Sequence, residues 1–120
     1  MTYLEFAQMV GSVPLAVVNE EQTYVPFAYY QFTQETAKEP PFICYYFTND
    51  NDFGADNINY QAIRTAVIEL YTDNKDFALE QAVETLLKNN EMRFTKNEAY
   101  ISSEKMYLVT YETEVVISNG

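Results

Sequence analysis

The sequence predicts an α+β domain in which two helices pack on a mainly antiparallel sheet of four to five strands. Stretches with a period of two, rich in β-branched and aromatic residues, recur along the chain. Two stretches with helical spacing interrupt them, one near the N-terminus and one amphipathic stretch at about 76–90. Runs of strands broken by single helices are typical of the α+β class. The predicted element order is αβββαββ.

The first helix is predicted over Tyr3–Val10. Thr2 and Glu5 form the T-x-x-E pattern of a capping box, in which each side chain accepts a hydrogen bond from the other residue's backbone N–H. Gly11 follows the helix at a position where a C-terminal glycine is common.

Two strands are predicted next, preceded by a candidate short edge strand at Pro14–Val18, because proline is tolerated at a strand start. Residues 19–22 are expected to turn, and residues 23–32 to form the return strand. Phe42–Phe47 is apolar at every position, which is typical of a central strand covered on both faces. We expect a helix on one face and another subunit or segment on the other.

The clearest secondary-structure pattern in the sequence is a strand followed by a helix. Residues 60–71 alternate as a strand does, with Ala66, Ile68 and Leu70 on one face. Asp76 predicts the N-cap of the second helix, since its carboxylate can accept hydrogen bonds from the free N–H groups of the first turn. Glu80 is placed outside the apolar stripe of this helix, and Asn89 and Asn90 are suited to the left-handed conformation that ends a helix. The stripe consists of Leu79, Ala82, Val83, Leu86 and Leu87.

A final hairpin is predicted after the second helix. Its strands cover Met92–Ile101 and Lys105–Ile117, and Ser102–Glu104 forms the turn between them. No repeat, low-complexity tract or composition break divides the sequence. Residues 1–120 are therefore predicted to form a single domain.

The chain is strongly acidic, with 18 acidic and 7 basic residues and a formal charge of −11. Nucleic acids and anionic membranes are bound through basic patches, and no such cluster is present. The N-terminus lacks the basic region and apolar core of a signal peptide, and the longest apolar run is too short to cross a membrane. We therefore expect a soluble protein made in the cytoplasm.

Little in the sequence indicates chemistry. The chain has no histidine and a single cysteine, Cys44, which is expected to be buried. Asp50 and Asp52 match two ligand positions of a calcium loop, but Gln61 stands where a bidentate glutamate is required. No Gly-rich phosphate loop is present. We predict no catalytic residue, no metal ligand and no cofactor, and hence no enzyme.

Four segments carry a resemblance to a known family. Together with Asp76 at the start of the second helix, these segments span about residues 40–112. They occur in the same order along the chain as in the family. On these segments the chain resembles small tail-completion, or tail-to-head joining, proteins of long-tailed bacteriophages and prophages of Gram-positive bacteria. Phe77 departs from the family pattern, which commonly has proline there. The segments are Pro41–Phe47, Asp52–Asn57, Ile68–Asp73 and Tyr100–Tyr107.

The resemblance implies a non-enzymatic structural protein of the virion tail or neck, present in the bacterial cytoplasm during assembly. Such subunits typically self-assemble into a ring, often a hexamer, that caps the tail tube and meets the head connector. DNA passes through the ring without specific binding. The implied partners are copies of the chain itself, tail tube proteins and head connector proteins, with no membrane and no cofactor.

Two loops are predicted to make these contacts, because loops carry function and both belong to the resembling segments. The charge leaves one alternative open: a small acidic protein that mimics nucleic acid and inhibits a host DNA-binding protein. The predicted contact residues are Asp52, Phe53, Gly54, Asp56, Tyr100, Ser102, Glu104 and Tyr107.

Overall fold

A computed structural model describes residues 1–33, 39–48 and 61–118, and these form an α+β fold. The predicted fold class is therefore confirmed. The predicted order αβββαββ is wrong, because five strands rather than three precede the second helix. The elements are α1 Tyr3–Val10, β1 Pro14–Val18, β2 Glu21–Tyr24, β3 Phe27–Tyr29, β4 Phe42–Phe47, β5 Gln61–Thr72, α2 Phe77–Asn89, β6 Phe94–Ile101 and β7 Met106–Ser118.

The main sheet has five strands in the order β3-β4-β5-β7-β6. β3 runs parallel to β4, whereas the other three pairings are antiparallel. The sheet is thus mixed rather than purely antiparallel. β1 and β2 form a separate two-stranded sheet and are not edge strands of the main one.

The return strand predicted over residues 23–32 is two strands with different partners. Pro26 lies between them and has no N–H to donate to a ladder. On one side, the Val25 N–H donates to the Val13 carbonyl at 2.9 Å. On the other, the Pro26 carbonyl accepts from the Ile43 N–H at 2.8 Å. The chain therefore leaves β1 at Pro26 and joins the main sheet beside β4.

Helix α1 begins and ends where the sequence predicts. Thr2 Oγ1 accepts from the Glu5 N–H at 3.1 Å, and Glu5 Oε1 accepts from the Thr2 N–H at 2.8 Å, so the capping box is complete. Gly11 is the C-cap, but its φ is −75° and requires no glycine. Packing against Phe27 requires the glycine instead, because a Cβ on Gly11 would lie 2.5 Å from Cε1 of Phe27.

The N-terminus of α2 agrees with the prediction and its C-terminus does not. Asp76 Oδ1 accepts from the Leu79 N–H at 3.0 Å, as expected for an N-cap. Asn90 has a φ of −97°, and the residue with positive φ is Glu91, at 58°. Asn90 ends the helix differently, because its side-chain amide donates to the Leu86 carbonyl at 2.8 Å.

Both helices contribute to one apolar core on one face of the main sheet, which we call the helix face. Ala66, Ile68 and Leu70 point into this core, as predicted. Alternating residues of β4 and β7 join them, because side chains on a strand point to opposite faces in turn. The buried members are Phe6, Met9, Val10, Val13, Val25, Ile43, Tyr45, Phe47, Ala66, Ile68, Leu70, Leu79, Val83, Leu87, Val109, Tyr111, Val115 and Ile117.

Candidate assembly surfaces

Half of the predicted contact residues lie outside the described part of the chain. These are the four residues of the first predicted contact loop: Asp52, Phe53, Gly54 and Asp56.

The other four predicted contact residues lie together at the tip of the β6–β7 hairpin. Tyr100 and Tyr107 are opposite each other in the ladder, and their rings meet edge to face with centroids 4.9 Å apart. Ser102 and Glu104 are exposed in the turn, where the Glu104 N–H donates to the Ile101 carbonyl at 3.2 Å. The tip therefore presents one largely exposed tyrosine, a hydroxyl and a carboxylate, which are groups suited to a protein contact.

The strand leading to this tip is an edge of the main sheet. β6 pairs with β7 on one side only, since it is last in the strand order. All six of its central residues, 95–100, are exposed. Its outer row of backbone N–H and carbonyl groups is therefore open to another strand.

The β1–β2 hairpin is a surface that sequence reasoning did not single out as a contact. Its base is anchored by the buried residues Val13 and Val25, whereas none of its nine strand residues is buried. Asn19 and Glu20 form its turn with φ of 51° and 67°, the left-handed pair of a tight hairpin. Isolated two-stranded sheets are marginally stable in water, so this one depends on its base and on whatever packs beside it.

Apolar side chains cover this hairpin. Val17 is 66 % exposed and Val18 is 52 % exposed, with Leu15 and Tyr24 also exposed. Leu15 and Val17 lie on one face of the hairpin and Val18 on the other, because successive side chains of a strand alternate. Exposed apolar side chains grouped on one face can mark a protein interaction site. The sequence signal for this surface is the apolar run Pro14–Val18, whose pattern predicts a short edge strand and not a separate hairpin.

Two shallow grooves separate the hairpin from helix α2. One holds about 420 Å³ and lies between β1 and the start of the helix, where Leu15 and Val17 face Ala78 and Ala82. The other, of about 430 Å³, continues along the helix towards Asn89. The apolar patch therefore extends from the hairpin onto α2.

A cluster of charged side chains joins α2 to β6. Glu80 is 2 % exposed, and its carboxylate lies 2.5 Å from Lys75 Nζ and 3.0 Å from Lys96 Nζ. Lys96 Nζ also lies 2.8 Å from Glu84, and Lys75 contacts Glu98. Among the described residues no hydrogen bond of good geometry reaches the carboxylate oxygens of Glu80, so ion pairs compensate the burial of its charge.

The prediction that Glu80 lies outside the buried side of the helix is wrong. Glu80 precedes Val83 by three residues and Leu87 by seven, and these spacings share one face of a helix. That spacing was visible in the sequence. The missing information was that Lys96, on a strand after the helix, would lie against it.

Tyr111, on β7, joins the charged cluster from the sheet through its hydroxyl group. Its hydroxyl donates to Glu84 at 2.9 Å, and burial followed by this hydrogen bond raises the pKa of Tyr111 well above its usual range. Burial pushes the pKa of Glu84 up, but hydrogen bonds from Lys96 and Tyr111 outweigh it, and the net pKa is lowered. The hydrogen bond to Glu84 raises the pKa of Lys96. At neutral pH the cluster therefore holds a carboxylate, an ammonium and a protonated phenol.

The opposite side of the sheet, which we call the second face, carries stacked aromatic rings. Phe42 stacks on Tyr71 with centroids 4.8 Å apart, and Tyr30 stacks on Tyr46 at 5.0 Å. No helix of the described residues packs there. This row runs across β4 and β5, and it accounts for part of the aromatic excess of the composition.

Beside these rings the second face contains two poorly solvated titratable groups. Glu69 accepts a hydrogen bond from the Tyr71 hydroxyl at 3.3 Å, yet burial dominates and raises the pKa of Glu69. Cys44 is buried, as predicted, and burial, reinforced by the Glu69 charge, raises the pKa of its thiol. Cys44 is therefore a neutral thiol at pH 7, unlike an activated nucleophile.

The described ranges contain neither a grouping of metal ligands nor a helix of membrane-spanning length and apolarity. Within residues 1–33, 39–48 and 61–118, no three His, Cys, Asp or Glu side chains are placed to hold a metal ion. None of the helices in that part of the chain is long and apolar enough to cross a membrane.

Comparison of the chain with protein-family models, with curated proteins and with solved structures finds no match.

Proposed function

We propose that this protein is a non-enzymatic assembly subunit of a bacteriophage or prophage virion, a tail-completion subunit that forms a ring at the tail end. Its partners in this proposal are copies of itself, the tail tube and the head connector. The resemblance of the four sequence segments supports the class of protein. The apolar β1–β2 hairpin supports self-association.

The hairpin is the observation that carries the proposal. Leu15 and Val17 are exposed on one face of a small separate sheet, and Val18 is exposed on its other face. A hairpin of one subunit that packs on a different surface of the next makes a head-to-tail contact, and such contacts form a ring when the rotation between neighbours closes. The grooves beside α2 lie next to the hairpin and extend the surface available to a neighbour.

The net charge of −11 fits a ring that DNA must pass. Phosphate is repelled by a negative surface, and binding by counterion release needs basic side chains. An acidic subunit therefore lets DNA slide without adhering.

The hairpin contact is tested by Val17→Lys, with Gln31→Lys as the matched control at another exposed position. Light scattering after size-exclusion chromatography and negative-stain electron microscopy measure the assembly. We expect the wild type and Gln31→Lys to form rings, and Val17→Lys to remain in smaller species. Because Val17 is exposed, the far-UV circular dichroism spectrum should be the same in all three.

Two outcomes would contradict the proposal. A wild-type chain that is monomeric at every concentration and forms no rings is not a ring subunit. Rings that persist in Val17→Lys would show that the hairpin is not the ring contact.

A further inference from the structure

The outer edge of β6 is an unpaired strand eight residues long. Residues 95–100 are all exposed, and no strand or helix among residues 1–33, 39–48 and 61–118 covers this edge. An open edge of this length is a template for another strand, and its side chains decide which strand fits.

The sequence of β6 is complementary to itself when the strand is reversed about Asn97. In that register Lys96 of one copy lies opposite Glu98 of the other. Both side chains are on the helix face, where within each copy they belong to the charged cluster around Glu80. Phe94 then lies opposite Tyr100, and Asn97 lies opposite itself. Opposite charges and aromatic pairs placed directly across an antiparallel ladder are stabilising.

We propose that β6 pairs antiparallel with β6 of a second copy, with the two-fold axis at Asn97. The two five-stranded sheets then form one continuous sheet with all helices on the same side. The contact is isologous, unlike the head-to-tail contact of a ring. It therefore stands whether or not the chain builds rings.

Charged edge residues often prevent edge pairing, and the register decides which effect applies here. Centring the pair on Lys96 or on Glu98 places like charges directly opposite each other. Centring the pair on Asn97 instead places Lys96 of each copy opposite Glu98 of the other, which gives two attractive pairs per dimer. The charges of the edge therefore disfavour the two neighbouring registers and favour pairing with its own copy in the register centred on Asn97.

Cysteine cross-linking tests the register. On the axis, Asn97→Cys places the two Cβ atoms roughly 4.5–5.5 Å apart, close to the distance that a disulfide spans. Thr95→Cys is the matched control on the same face of the same strand, where the two copies would be roughly 13 Å apart along the ladder. Under mild oxidation we expect Asn97→Cys to form a disulfide-linked dimer on non-reducing gels. Thr95→Cys and the wild type, with its buried Cys44, should not.

Solution measurements test the affinity. Asn97→Asp places two carboxylates on the axis and should raise the dimer dissociation constant by roughly 1.5- to 5-fold, the effect of one like-charge pair. Asn97→Thr keeps a neutral strand-forming residue there and should dimerise at least as well as the wild type. Analytical ultracentrifugation over a concentration series measures both.

Several outcomes would overturn the inference. Equal cross-linking of Asn97→Cys and Thr95→Cys, or none in either, rejects the register. A wild-type chain that shows no dimer in the ultracentrifuge rejects the pairing. Dimers that are lost in Val17→Lys but unaffected by Asn97→Asp would assign self-association to the hairpin instead.

Discussion

At the scale of single residues, two partly buried acids lie in opposite environments. Glu84 lies among Lys96 and the Tyr111 hydroxyl, which hold it as a carboxylate. Glu69 lies on the second face beside aromatic rings, with one hydrogen bond and no cation in contact among the described residues. The same side-chain type is therefore stabilised as an anion on the helix face and destabilised on the second face.

Glu84 should stabilise the fold at neutral pH and lose this effect in acid. Its pKa is lowered on folding, so its stabilisation is fully present above the ordinary value of 4.5 and is lost as the pH falls through the lowered pKa. Glu84→Gln should therefore lower the urea midpoint at pH 7 and change it less at pH 3. Glu21→Gln, on the exposed strand β2, is the control and should change neither. A deficit that is equal at both pH values would contradict the charge argument.

Glu69 should show the reverse behaviour. Its pKa is raised on folding, so its contribution is most favourable below 4.5 and is lost as the pH rises through the raised pKa. Glu69→Gln retains an acceptor for the Tyr71 hydroxyl and removes the poorly solvated charge. We expect a higher urea midpoint than the wild type at pH 7 and no difference at pH 3. A lower midpoint at pH 7 would show that the carboxylate is stabilised by a cation.

At the scale of elements, the helices agree with their sequence signals and the first strands do not. A helix begins at a cap and follows a stripe within one stretch of chain, as α1 and α2 do. A strand depends on its partner, and β3 obtained a parallel partner, β4, that no local pattern specified. Pro26 marks a break in the predicted strand that is visible in the sequence. The pairing of the following strand, β3, with β4 has no local sequence signal.

The cap of α2 can be tested directly. Asp76→Ala removes the acceptor of the Leu79 N–H and should lower the free energy of unfolding by about 1 kcal/mol. Asp76→Ser is the matched control, because a serine hydroxyl accepts the same bond. Chemical denaturation measures both variants. If serine and alanine are equally destabilising, the carboxylate acts through its charge rather than as a cap.

At the scale of the whole molecule, association must overcome the charge of the subunits. Each copy carries −11, so copies repel one another over long distances at low salt. The proposed hairpin contact is apolar and short-ranged. Salt should therefore favour it by screening the repulsion without weakening the contact itself.

This balance predicts a salt dependence. Raising the ionic strength from about 0.01 M to about 0.15 M shortens the screening length from roughly 30 Å to roughly 8 Å. In the Asn97→Asp variant, where β6 pairing is weakened, we expect the oligomer fraction seen by light scattering to increase over this range. Adding Val17→Lys to this variant should leave no species larger than the β6-paired dimer at either salt concentration. Dissociation on adding salt would show that ion pairs, rather than the hairpin, hold the copies together.

The sequence by itself determined the fold class, both helices with their N-terminal caps, the burial of Cys44 and the core side of β5. Each of these depends on residues close together in the chain, where periodicity and capping chemistry act. Only the tertiary structure decided that Glu80 would be buried, that β1 and β2 would leave the main sheet, and that β6 would be an open edge. These depend on which distant strands pair, because Lys96 reaches Glu80, and Pro26 reaches Ile43, only after the sheet has formed.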